Sequence, residues 1–356
     1  NTSTSHRMKS FLSRQLVCNV APRRSRFLST KISVSLIKDL RAKSGAPMME
    51  CKKALMDEEV GGDVDKAMDY LRAKGIAKAS NNTRVSAEGL IGVYERNGIF
   101  TIVEVNSETD FVSRNEGFQE FVAKIAMSAN ALGLQSSVGA VDIPSLLSET
   151  DAISGQSTIE NLLGDIVASI RENIVIRRAI NLPSNTANVL SAAYVHGKLG
   201  GDLSLDGGDT AVQLGREASV VTFSLSKADS ASVDDSVRTD LTAAAKRLAM
   251  HVVAAKPQYL SSGDVTPAVK DAEAAVMREQ TLANPPKNMA MLEKIIDAKV
   301  NKRLSEISLT GQAHMAVEGA PVISKYMKDL AKDSAVSELE LSGFQHWSLG
   351  QESSNN

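Results

Sequence analysis

Asn97-Gly98 divides two apolar runs, Leu90-Ile91-Gly92-Val93-Tyr94 and Ile99-Phe100-Thr101-Ile102-Val103-Glu104-Val105. Both residue types tolerate positive φ, which a two-residue hairpin turn requires, so this pattern predicts two antiparallel strands in fixed register. The period then changes. Phe118, Phe121, Val122, Ile125, Ala126 and Ala129 recur at helical spacing and predict a helix with one apolar face. A looser copy of this unit begins about a hundred residues later: Val189-Leu190-Ser191-Ala192-Ala193-Tyr194, a Gly-rich loop from His196 to Asp209, the run Ser219–Leu225, and a helix carrying Leu241, Ala245, Leu248 and Val252. Two related α+β halves, 85–183 and 184–263, are the simplest architecture that satisfies both copies.

Helical patterns flank this core. Residues 33–80 predict three short helices, with Val34, Leu36, Ile37 and Leu40 on the first, Met48, Cys51 and Leu55 on the second, and Val64, Ala67, Met68 and Leu71 on the third. Gly75 is expected to end the third helix, and a short linker to follow around Ala79–Thr83. Ile159–Ala179 reads as one helix ending in Ile176-Arg177-Arg178. Residues 264–304 predict a protruding antiparallel helical hairpin that turns at Asn284-Pro285-Pro286, and 305–350 form a less regular C-terminal module.

The first thirty residues differ from the rest. They hold Arg7, Lys9, Arg14, Arg23, Arg24 and Arg26, several Ser and Thr, and no Asp or Glu. That composition predicts an organelle transit peptide over 1–30, mitochondrial ahead of plastid. A basic nucleic-acid-binding tail is the competing reading. Of the 40 Lys and Arg, removing these six leaves 34 against 42 acidic residues, an acidic remainder that argues against nucleic-acid binding. No run approaches the ~20 apolar residues of a membrane span. Cys18 and Cys51 offer neither a disulfide framework nor zinc spacing, and the five histidines are widely separated.

The candidate site is the connection Glu104-Val105-Asn106-Ser107-Glu108-Thr109-Asp110-Phe111-Val112-Ser113-Arg114. A large ring on a connection buries itself either in its own core or in a partner. Thr109 or Asp110 as helix cap with Phe111 in the core is the bland account. Against it, the second copy enters its helix through Ser226-Lys227-Ala228-Asp229-Ser230, which has no aromatic residue. Met48-Met49 poses the same choice, because adjacent helical residues stand about 100° apart and only one fits a small core. The chain has no G-x-S-x-G, H-E-x-x-H, C-x-x-C or phosphate-cradling glycine motif, so no catalytic constellation presents itself. An adaptor built on the three helices and an enzyme with a site between the halves remain alternatives at this level.

Glu104–Arg114 resembles the most distinctive segment of the translation elongation factor Ts family. Leu40-Arg41, Gly45–Leu55, Arg171–Arg178, Tyr194-Val195-His196-Gly197, Met250–Pro257 and Ser308–Gln312 match the family's motifs in order, over roughly 33–330. Pro47, the long stretch Gly200–Arg216 and the end from His314 depart from the pattern. The resemblance implies a ubiquitin-associated-like three-helix domain, a two-half α+β core and an inserted helical hairpin. It also implies guanine-nucleotide exchange on elongation factor Tu, GDP-bound and nucleotide-free, with no cofactor and no covalent chemistry of its own. In that scheme Phe111 is a wedge, Asp110 perturbs the partner's magnesium site, and Thr109 and Val112 hold the turn. Leu40, Met48 and Met49 dock the N-terminal domain on the same GTPase domain. Neither nucleic acid nor membrane is an expected partner, and a homodimer stays open.

Overall fold

The computed structural model describes residues 32–80, 86–135, 138–184, 186, 188–205, 207, 210–226, 233–283 and 291–351. The basic segment 1–30, residues 81–83 of the expected linker, the entry Lys227–Ser230 and the turn Asn284-Pro285-Pro286 lie outside the described residues.

The fold is α+β. Three helices open it: α1 (Val34–Ser44), α2 (Met48–Met56) and α3 (Val64–Ser80). Ser33 accepts from the Leu36 amide to start α1, and Gly45 ends it at φ 65°. Ile37, Leu40, Cys51, Ala54, Leu55, Ala67 and Leu71 close a small core of their own. The third helix does not stop at Gly75 but continues to Ser80. It packs along α6 (Ile159–Ile170) of the next domain, and tertiary packing of this kind overrides a glycine's modest helix penalty.

The predicted hairpin is β1 (Glu88–Arg96) and β2 (Ile99–Ser107), turning through Asn97 at φ 53° and Gly98 at φ 78°. Beyond β2 come α4 (Glu116–Gln135), β3 (Gly139–Ala140), α5 (Ile143–Ser148) and α6. The single helix expected over Ile159–Ala179 is two elements. Arg171 adopts the left-handed conformation and ends α6, and β4 (Val175–Pro183) pairs antiparallel with β2. The apolar residues 174–176 fit either period, and the ladder to β2 decides in favour of a strand. Then follow β5 (Val189–His196), β6 (Gln213–Gly215) and β7 (Glu217–Leu225), α7 (Asp235–Ala255), the hairpin helices α8 (Pro267–Ala283) and α9 (Leu292–Ile307), α10 (Ile323–Asp333) and β8 (Leu339–Ser348).

Two antiparallel sheets result, ordered β3-β4-β2-β1-β6 and β5-β7-β8. The C-terminal module therefore supplies an edge strand to the second sheet. The layers run helix, sheet, sheet, helix. Leu90, Tyr94, Val103 and Val105 face α4, while Ile91, Val93, Phe100 and Ile102 meet Val195, Ala218, Val220 and Trp347 of the second sheet. Val221, Phe223 and Leu225 face α7. Burial on both faces is why β2 is nearly continuously apolar instead of alternating. Thr101, Asn130 and Asn181 form a buried hydrogen-bonded set that joins β2, α4 and β4, with Thr101 Oγ1 donating to Asn181 Oδ1 at 2.6 Å.

One buried charge stands among these layers. Glu104 is fully buried and accepts from Arg177 Nη1 at 3.0 Å, Arg178 Nε at 2.6 Å and the Gly350 amide at 3.1 Å. A bulge in the β2–β4 register, with Glu104 opposite Arg178 but Val105 opposite Ile176, lets consecutive arginines reach the same carboxylate. The Arg178 guanidinium lies 4.3 Å over the Trp347 ring. Glu104→Ala leaves two arginines without a counter-charge and is expected to lower unfolding free energy by about 3–5 kcal/mol. Denaturant titration read on Trp347, the one tryptophan of the chain, checks this.

Against the second sheet's helix, His251 of α7 and His314 of the C-terminal module are buried 5.5 Å apart, ring to ring. His251 Nδ1 accepts from the Met315 amide, so its Nε2–H donates to Gln312 Oε1 at 2.9 Å. Burial, with the charges of His251 and Arg247 nearby, pushes His314 down to about 4. Burial also lowers His251, against the opposing effect of its Gln312 hydrogen bond. Unfolding returns both rings to about 6.5, so between pH 6.5 and 4 the unfolded chain holds more protons than the folded one. The pair's contribution to stability is therefore full above pH 6.5, falls as pH drops through that window and levels off below it. Thermal midpoints between pH 7.5 and 4 are expected to trace this slope, shallower in His314→Phe.

Candidate functional site: the turn between β2 and α4

After Ser107 the chain leaves the first sheet, makes one 3-10 turn over Val112–Arg114 and enters α4. Asn115 caps α4, its Oδ1 accepting from the Phe118 amide at 3.1 Å. Val112 and Phe118 point into the core beneath. Their inward direction turns Phe111 outward, where the ring is 77% exposed. Its backbone is ordinary right-handed helix at φ −63°, ψ −34°, so no strain forces it there.

The turn is held from several sides. Ser107 Oγ donates to the Thr109 carbonyl at 3.0 Å, Ser113 Oγ to the Asp110 carbonyl at 2.5 Å and Gln119 Nε2 to the Ser113 carbonyl at 2.9 Å. The Glu172 carboxylate accepts both the Thr109 amide, at 2.9 Å, and the Thr109 hydroxyl, at 2.7 Å. In return the Asn173 amide donates to Glu108 Oε1 at 2.9 Å. Asp110 is half-exposed, with Arg216 Nη2 4.0 Å away and Glu88 3.8 Å beyond on the same guanidinium. Exposed pairs at this range are weak, so the Asp110 carboxylate is available to a visitor.

Thr109, Asp110, Phe111 and Val112 thus form one corner, with Phe111 and Asp110 presented outward and Thr109 and Val112 anchoring. The N-terminal candidates divide differently. Met48 and Met49 are 43% and 63% exposed, so neither serves the helical core, which Cys51, Ala54 and Leu55 fill instead. Leu40 is 0% exposed at the centre of that core. It is therefore not offered to a partner as the resemblance implies, and it packs in the core beneath the exposed methionines. An apolar stripe in sequence does not distinguish a residue a helix buries from one it offers.

Glu172 escaped the sequence reading. It stands in Arg171–Arg178, a run matched by resemblance without a role for this carboxylate, and 63 residues separate it from Thr109. It also sits one residue past Arg171, the left-handed cap of α6, the helix on which the three-helix domain rests. Among the described residues no group of three or more His, Cys, Asp or Glu could hold a metal ion, and no helix is long and apolar enough to cross a membrane.

The corner lies within a span that matches known proteins. The family model described as Elongation factor TS covers residues 108–351. The protein named Elongation factor Ts of Rhodospirillum centenum is 36% identical over 322 residues, 90% of this chain and 94% of its own length. That of Rhizobium meliloti is 35% identical over 90% of this chain and 93% of its own, and that of Methylobacterium sp. strain 4-46 33% over 90% and 92%. With its core, its corner and its N-terminal helices all inside these matches, the chain belongs to the elongation factor Ts family.

Proposed function

We propose that this chain promotes GDP release from elongation factor Tu by inserting the Asp110-Phe111 corner beside the magnesium site of the GTPase domain, and that it does so in an organelle. Family membership carries the coarser part, a translation elongation factor that exchanges nucleotide on elongation factor Tu. The finer part rests on one observation: a phenyl ring 77% exposed on a firmly braced turn. A bare ring in water is a standing cost that disappears on contact with an apolar partner.

The chemistry is coupling, with no bond made or broken by this chain. A nucleotide held at nanomolar affinity is bound by about 12 kcal/mol. A factor that binds the nucleotide-free partner more tightly than the loaded one must itself be weakened by nucleotide to the same extent. The ring displaces partner side chains, Asp110 brings a carboxylate near the metal, and each ~1.4 kcal/mol of lost phosphate or magnesium contact speeds release about tenfold. Met48 and Met49 are adaptable apolar anchors for the same partner.

Release of labelled GDP from elongation factor Tu tests the reading. Phe111→Ala is expected to slow stimulated release on the order of 30-fold, the scale of a single interface hot spot, without altering circular dichroism. Met48→Ser with Met49→Ser is expected to raise the factor concentration needed for half-maximal release and leave the plateau alone. Undiminished release by Phe111→Ala would reject the wedge.

The acid-free basic composition of residues 1–30 supports entry into the mitochondrial matrix, with a plastid as the alternative. A fluorescent reporter fused behind residues 1–30 should colocalise with a mitochondrial dye, and diffuse cytosolic signal would refute the address.

A further inference from the structure

Resting on the proposed exchange activity, we propose that Glu172 is a positioning residue for nucleotide exchange: its carboxylate locks the Phe111 corner into its working geometry before the partner arrives. Three observations converge on it. Both donors of Thr109, the amide at 2.9 Å and the hydroxyl at 2.7 Å, are taken by the two oxygens of this one side chain. The neighbouring link runs the other way, with the Asn173 amide on Glu108 Oε1 at 2.9 Å, so the end of β2 and the start of β4 each lend a carboxylate to the other's backbone. And Phe111, two residues past the clamp, is 77% exposed, so no packing of the ring itself fixes its direction.

A wedge transmits binding energy to its target only if its base does not yield. If the turn were loose, part of the energy of insertion would be consumed in ordering it, and the partner's helices would be displaced less. Hydrogen bonds to a charged acceptor are the stronger kind, and a carboxylate with both oxygens engaged fixes direction as well as distance. Glu172 touches neither nucleotide nor partner in this scheme; it acts through Thr109 on Phe111. Its place directly after Arg171, the end of α6, also joins the corner to the helix that carries the three-helix domain. Both docking elements are thereby referred to one rigid part.

The test is a double-mutant cycle on the full chain, with labelled-GDP release from elongation factor Tu followed across factor concentrations. Glu172→Ala is expected to lower the plateau rate about tenfold, with a smaller change in half-saturation, the loss typical of hydrogen bonds to a charged group. Glu172→Gln, which keeps the shape and one acceptor for the Thr109 amide, should restore most of it. In a Phe111→Ala background Glu172→Ala should cost less than about twofold, because a residue that acts through the ring has nothing left to act on. Amide exchange over 108–113 should accelerate in Glu172→Ala beyond what its fall in thermal midpoint accounts for. An equal loss in both backgrounds, or full activity of Glu172→Ala, overturns the proposal. Full activity of Phe111→Ala alone would instead reject the wedge, and this inference with it.

Discussion

The Glu104 carboxylate between Arg177 and Arg178 is the contact on which the rest of the molecule depends. A buried charge is tolerated only when paired and hydrogen-bonded, and here the partners of this β2 residue come from two other parts of the chain: β4 and Gly350, two residues past the end of β8. Regular strands point consecutive side chains to opposite faces, so two adjacent arginines could not both serve one acid without the bulge opposite it. The contact therefore sets register as well as charge. A one-residue slip of β4 would turn its apolar residues to the wrong face and would carry Glu172 and Asn173, which precede β4, away from the corner they brace.

Much of this architecture was legible, and the reasons are local. Asn97-Gly98 permits a turn few other pairs allow, and both residues adopt the positive φ their identity suggests. The helical stripe Phe118–Ala129 is buried throughout. Phe111 was singled out because its counterpart in the second copy has no ring, an argument from the repeat that its exposure now matches. What stayed hidden depends on partners distant in sequence. Residues 174–176 are apolar at either period, and only β2 makes them a strand. β6 is three residues long, too short for any pattern, yet it closes the edge of the first sheet against β1. Leu40 and Met49 are both apolar residues on short helices, and only the assembled three-helix core shows that one is taken and the other left over.

The proposed exchange role asks no covalent chemistry of the corner. Its chemistry is limited to an exposed ring, a lightly engaged acid and the bracing of a turn. Arg216, shared between Glu88 and Asp110, keeps the acid from facing only other acids while the surface is free. Because that pair is exposed and weak, giving it up costs little when a stronger cation is offered.

β7 has one neighbour close in sequence and one far away. It pairs with β5, which ends at His196, and with β8, which begins only at Leu339. β5 and β7 are near in sequence and can associate while β7 still presents a bare edge, the kind of surface that recruits foreign strands. The stretch from Leu225 to Leu339 must close as a loop before β8 can cover that edge. The α8–α9 hairpin lies within that stretch. Every residue between β7 and β8 belongs to the loop that must close before the edge is covered, and doubling its length would cost only about 0.6 kcal/mol without altering the finished sheet.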